Sequence, residues 1–133
     1  MDTAAKILIV GGVLNIAYGF LTGFVLGNTR MKSPEAPKYL VLAHTGPLIQ
    51  GPMLLGLVFA VDLSPLAGKI ETLAASLLVA SSAFLHAGNT LHWLQGVRDE
   101  FAERPPGFFL VGFSTILAVA GLAILVVGVF DGL

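Results

Sequence analysis

Residues 39–61 read YLVLAHTGPLIQGPMLLGLVFAV, with no charged side chain anywhere in the run. A helix of about 20 apolar residues crosses the ~30 Å hydrocarbon core of a bilayer, so this stretch is long enough to span one. Inside it stand His44, Gly46, Pro47, Gln50, Gly51 and Pro52, where a membrane helix would ordinarily carry leucine. A charged group at the centre of a membrane helix costs about 2.5–3.5 kcal/mol on insertion scales, so ionisable residues at that depth are functional candidates by default. His44 is the first of these.

The same pattern recurs on both sides. Apolar segments run from about residue 4 to 26, 39 to 61, 70 to 97 and 107 to 130, and most of the charge sits between them. Backbone exposed to lipid must satisfy its own hydrogen bonds, which predicts helices and excludes open strands. The expected fold is all-α: a single domain over residues 1–133 forming an integral membrane four-helix bundle. Composition agrees, since hydrophobic residues make up 56% of the chain and charged ones 11%, against roughly 45–50% and 25% in soluble domains.

Several function classes are excluded. Seven basic and eight acidic residues nearly cancel, so there is no positive field for nucleic acid. The chain has no cysteine, which removes disulfides, thiolate metal sites and cysteine nucleophiles. The first segment follows Lys6 as a secretory signal would, but its length, with Asn15 and Tyr18 inside it, predicts a retained helix. Arg30, Lys32, Lys38, Arg98 and Arg104 lie in the first and third connectors, against Lys6 and Lys69 on the other side. That asymmetry places those two connectors in the cytoplasm.

Small residues mark packing surfaces. Gly19, Gly23 and Gly27 recur every four residues in the first segment, and Gly107, Ser114, Gly121 and Gly128 every seven in the last. Such stripes let membrane helices approach closely and carry no chemistry.

Polar residues on the second and third segments supply the chemistry. Ser82, His86, Asn89 and Trp93 share one face of a helix at offsets of four, three and four. Gln50, six residues after His44, points about a third of a turn away from it. For most of these a plain structural role competes: a histidine bonded to a neighbouring carbonyl, an amide joining helices, and His92 and Trp93 as interfacial residues near a helix end.

Ala43-His-Thr-Gly-Pro-Leu-Ile-Gln-Gly51 resembles the Ala-His-x-Gly-Pro-x-x-Asn-Gly motif of bacterial styrene oxide isomerases, and the related hydroxylaminobenzene mutases carry a similar pattern. Asn89 followed by Trp93 resembles the family's second motif, an asparagine with a tyrosine four residues later. The resemblance covers the second and third segments. It implies a haem b, with ferric iron, held by the motif histidine, here His44, between subunits of a homotrimer in the bacterial cytoplasmic (inner) membrane. It sets Gln50 beside that cofactor where the family has asparagine. Asn89 and Trp93 become the catalytic residues, Trp93 replacing the family tyrosine.

The implied reaction is the redox-neutral isomerisation of an aryl epoxide to an aldehyde, or rearrangement of an N-hydroxylated aromatic amine, on a hydrophobic substrate that enters from the bilayer. Nothing at membrane depth resembles a nucleophile–base pair or a carboxylate dyad, which fits a rearrangement better than a hydrolysis. Two other readings remain. One is a b-type cytochrome or haem carrier whose second axial ligand is His86 or His92. The other is a membrane assembly protein in which every polar residue joins helices.

Overall fold

The computed structural model describes residues 1–133 and is built entirely from helices: α1 (Thr3–Lys32), α2 (Lys38–Leu63), α3 (Gly68–Leu94), the short α4 (Glu100–Glu103) and α5 (Pro106–Gly132). The four long helices are each long and apolar enough to cross a membrane. They form the expected all-α, four-helix membrane bundle. α1 packs chiefly on α2 and α5 chiefly on α3, and α3 also touches α1 and α2.

Helix ends differ from the sequence reading in two places. The apolar run of α1 stops near Leu26, but the helix continues through Asn28, Arg30 and Lys32. Leaving the bilayer removes no helical hydrogen bond, so α1 ends only at Ser33, before Pro34, whose ring disfavours helical geometry in the preceding residue. α3, in contrast, stops at Leu94, short of residue 97. Gly96 adopts φ +65°, its N–H bonds the Trp93 carbonyl, and the Val97 N–H bonds that of His92. This is a Schellman cap, which glycine permits without a Cβ penalty.

Glycine sets two close helix crossings. A Cβ built on Gly12 would lie 2.9 Å from the Gly51 carbonyl oxygen, and one on Gly51 the same distance from that of Gly12, so α1 and α2 meet backbone to backbone. Gly88 and Gly107 stand in the same relation between α3 and α5, with separations of 2.9 and 2.7 Å. Gly107, Ser114, Gly121 and Gly128 are all buried. Gly107 and Gly121 lie against α3, and Gly128 lies against the α2–α3 connector. In α1, Gly19 and Gly23 face α2, while Gly27 faces open space. Most of both small-residue stripes is therefore used within the chain.

α2 contains two prolines, and one of the resulting gaps is visibly repaired. Pro47 has no N–H for the Ala43 carbonyl four residues earlier. The Thr22 hydroxyl of α1 lies 3.0 Å from that carbonyl oxygen and supplies the missing donor.

Polarity is divided along the bundle. Ala4, Leu8, Leu54, Val61, Ala74, Ala75, Leu78 and Leu125 form an apolar core in the half that holds the chain termini. The buried histidines and Asn89 lie nearer the other end, with Asn15 and Ser82 between, while one buried carboxylate, Glu71, stands in the first turn of α3 beside the apolar core.

Candidate functional site

His44 lies on the face of α2 that meets α1. Its ring occupies the space a Cβ on Gly23 would need, 2.6 Å from Cε1 and 2.7 Å from Nδ1. Nδ1 is 2.7 Å from the Gly19 carbonyl oxygen. A carbonyl only accepts, so Nδ1 carries the proton and Nε2 keeps its lone pair. Nε2 has no partner in the chain, and the residue is only half-buried. An imidazole whose inner nitrogen is fixed by a backbone carbonyl and whose outer nitrogen is bare has the arrangement found in metal-ligating histidines.

A hollow of about 500 Å³ opens along the same α1–α2 seam, lined by Leu26, Arg30, Glu35, Ala36 and Val41. Val41 is one helical turn from His44. No three His, Asp or Glu side chains converge anywhere in the chain. A bare metal ion held by protein ligands alone would need such a group. Iron already held by a macrocycle needs only one or two axial ligands, and the donor set at His44 fits that requirement.

The other three residues singled out from sequence are dispersed. Gln50 is half-buried on α2, on the stripe of Gly46, whereas His44 faces α1. Asn89 is 8% exposed on α3, and Trp93 is half-buried one turn further on. No hydrogen bond joins His44, Gln50, Asn89 and Trp93 to one another, and the side chains of the last three bond nothing else in the chain. In a bilayer an amide without a partner is costly. Those of Gln50 and Asn89 are open to a partner from outside the chain.

A second polar constellation, not resolved as a unit by the sequence, joins α1 to α3. Asn15 Nδ2 bonds the Gly11 carbonyl at 2.7 Å and Ser82 Oγ at 3.0 Å, and His86 Nε2 lies 2.6 Å from Asn15 Oδ1. Tyr18 bonds Thr90, which in turn donates to the His86 carbonyl at 2.7 Å. These groups line a cavity of about 580 Å³ whose remaining walls include Leu14, Val79 and Leu91. The sequence carried a signal for this pairing. Asn15, Tyr18 and Thr22 on α1, and Ser82, His86 and Thr90 on α3, form polar stripes of matching helical period.

His92 differs from the interfacial role expected for it. It is fully buried, edge-on to the Tyr39 ring with centroids 4.7 Å apart, and its Nδ1 is 3.5 Å from Glu100 Oε2. Its ring leaves no room for a Cβ on Gly107. The Tyr39 hydroxyl also accepts the Glu100 N–H at 3.1 Å, which ties the α3–α5 connector to the start of α2.

In that connector the Glu103 carboxylate accepts the N–H groups of Arg98 and Asp99, at 2.9 and 3.0 Å. First the Asp99 and then the Arg98 amide hold its pKa below the usual carboxylate value. Comparison of the chain with protein-family models, curated proteins and solved structures finds no match, so its functional reading rests on the residues themselves.

Proposed function

We propose that this multi-pass membrane protein is a haem b-dependent isomerase that works as a homo-oligomer, a trimer by the resemblance described above, in the bacterial cytoplasmic membrane. Its substrate is an aryl epoxide, converted to an aldehyde, or an N-hydroxylated aromatic amine. The observation that carries this reading is His44, whose Nδ1 is anchored on the Gly19 carbonyl and whose Nε2 is bare at the α1–α2 seam.

His44 would hold the iron through Nε2, and Arg30 in the adjoining hollow offers a cation to a haem propionate. When bound, ferric haem supplies the Lewis acid that polarises the substrate oxygen. The Gly19 carbonyl keeps the imidazole in one tautomer and raises its basicity as a ligand. Asn89 would supply an amide, and Trp93 an indole N–H, to hydrogen-bond and orient the substrate where subunits of the oligomer bring α3 to the His44 of a neighbour. Gln50, which points away from His44 in its own chain, would supply a second amide to the cofactor of an adjacent subunit. The surrounding apolar helices exclude water, which in an epoxide opening would divert the product to a diol.

The cytochrome reading gains less support. His86 Nε2 is engaged by Asn15, and His92 is enclosed by Tyr39, Glu100 and Gly107. His92 Nε2 has no hydrogen-bond partner either, but it is sealed inside the chain, whereas His44 is only half-buried.

The absorption spectrum of the purified protein, with and without His44→Ala, provides the first test, followed by aldehyde formation from a panel of aryl epoxides and rearrangement of aryl hydroxylamines. The expected result is a Soret band in the wild type that disappears in the variant, with product from at least one class. A wild-type protein with neither haem nor product refutes the proposal.

A further inference from the structure

The cavity between α1 and α3 can be assigned a ligand chemistry by following each proton in its wall. Asn15 Nδ2 gives its two protons to the Gly11 carbonyl and to Ser82 Oγ. Asn15 Oδ1 is therefore an acceptor, and the proton shared with His86 belongs to His86 Nε2. His86 Nδ1 is left as a bare acceptor, buried without a partner on the side facing Gly46 of α2.

Ser82 gives its proton to the Val79 carbonyl at 2.8 Å. Thr90 gives its own to the His86 carbonyl, so it can only accept from Tyr18, and the Tyr18 proton is used as well. Every side-chain donor around the cavity is thus engaged inside the wall. What remains for an occupant is lone pairs alone, on Tyr18 and Thr90 and on Asn15 Oδ1.

The rest of the lining excludes charge. No charged side chain borders the cavity, and Leu14, Val79, Ala83, Ala87 and Leu91 make its walls apolar. Leu14, Ala83 and Ala87 are exposed on the bilayer side, so the cavity opens to lipid. Its volume, about 580 Å³, falls within the usual range for small-molecule sites. His44 is not among the residues that line this cavity, and its ring is bonded to the Gly19 carbonyl at the α1–α2 seam, so the two are separate sites.

We infer that this cavity is a binding site for a neutral lipophilic small molecule bearing an O–H or N–H donor, such as a phenol, alcohol or arylamine, directed at the hydroxyl oxygens of Tyr18 and Thr90. Ethers, esters and other molecules that only accept are disfavoured, because their lone pairs meet lone pairs in a medium with no water to intervene.

The test compares 4-propylphenol with its methyl ether on full-length protein in lipid nanodiscs, with affinities expressed per mole fraction in lipid. The phenol should bind at least about tenfold more tightly. Ala87→Leu, which fills the cavity from its exposed side, should weaken phenol binding by about tenfold or more. Tyr18→Phe combined with Thr90→Val should erase the preference while leaving ether affinity within about twofold.

Equal affinity of phenol and ether in the wild type overturns the inference and points to a lipid acyl chain as the occupant. A preference that survives in the double variant overturns it too, as does phenol binding unchanged by Ala87→Leu. If the double variant does not fold, the matched ligands and Ala87→Leu still decide. The preference should also persist in His44→Ala, and its loss there would refute the independence of the two sites.

Discussion

The carbonyl oxygen of Gly19 lies 2.7 Å from Nδ1 of His44, and one turn further along α1 the absent side chain of Gly23 leaves room for the imidazole. One helix thus fixes both the tautomer and the seat of the candidate ligand on another. Gly23→Ala would set a methyl group 2.6 Å from Cε1, and the ring would have to leave its hydrogen bond. The expected cost is about 1–3 kcal/mol of stability, the usual range for overpacking, and the proposed haem ligation by His44 adds a weakened or shifted Soret band. Gly27→Ala, with nothing within 4 Å, serves as the control: it should leave the spectrum unchanged and raise stability by up to about 1 kcal/mol through helix propensity. Equal behaviour of the two variants in thermal unfolding and in the spectrum would remove Gly23 from this role.

Thr22 repairs the hydrogen-bond gap left by Pro47. Its hydroxyl lies within reach of the Tyr18 and Gly19 carbonyls as well, but Ala43 is the acceptor whose helical partner is missing. Thr22→Val keeps the shape and removes the donor. It should cost about 1–3 kcal/mol, the penalty for a buried unsatisfied carbonyl, whereas Thr22→Val combined with Pro47→Ala, which restores an N–H at 47, should recover part of the loss. Thermal unfolding in detergent measures both, and an additive result would contradict the assignment.

Asn15 is the node of the α1–α3 network, with contacts to Gly11, Ser82 and His86. Asn15→Leu strands the His86 Nε2 proton in an apolar interior and should destabilise the protein by about 1–3 kcal/mol. Asn15→Leu combined with His86→Phe removes both partners and should be less damaging than the single change. A double-mutant cycle by equilibrium unfolding reads the coupling directly, and a coupling energy of zero would show that the two residues act separately.

The Glu103 turn should depend on pH in one direction only. Its carboxylate is stabilised in the ionised form by two backbone N–H groups, so its folded pKa lies below the ordinary value. The contribution is present above the ordinary carboxylate range, about pH 4.3, and is lost as pH falls through the lower folded pKa. Hydrogen exchange of the Arg98 and Asp99 amides, corrected for the intrinsic pH dependence, should show protection retained at pH 5 and lost only in stronger acid. Loss of protection between pH 7 and pH 5 would contradict this.

Much of the architecture was legible in the chain itself. Apolar runs of bilayer length force helices, because lipid offers no partner to an open backbone, and all four segments from 4–26 to 107–130 are found as long helices. The seven-residue stripe of Gly107, Ser114, Gly121 and Gly128 is buried as a packing face. The end of α3 could also have been read, since Gly96 is the residue a left-handed cap requires. The extension of α1 to Lys32 could not be read from hydropathy, which reports where lipid ends and not where a helix does.

The site was less legible. Helical spacing tells which residues share a face, but not which neighbouring helix that face meets. His44 and Gln50 were already separated by their offset on α2; that His44 is held by Gly19 and seated at Gly23 follows from the close approach of α1 and α2 through Gly12 and Gly51. In the same way the matching polar stripes of α1 and α3 were present in the sequence, but their join at Asn15 and His86 was not. A hydrogen bond between residues 71 apart in the chain depends on the relative height and rotation of two packed helices, and those are set by the whole bundle and by neither segment alone.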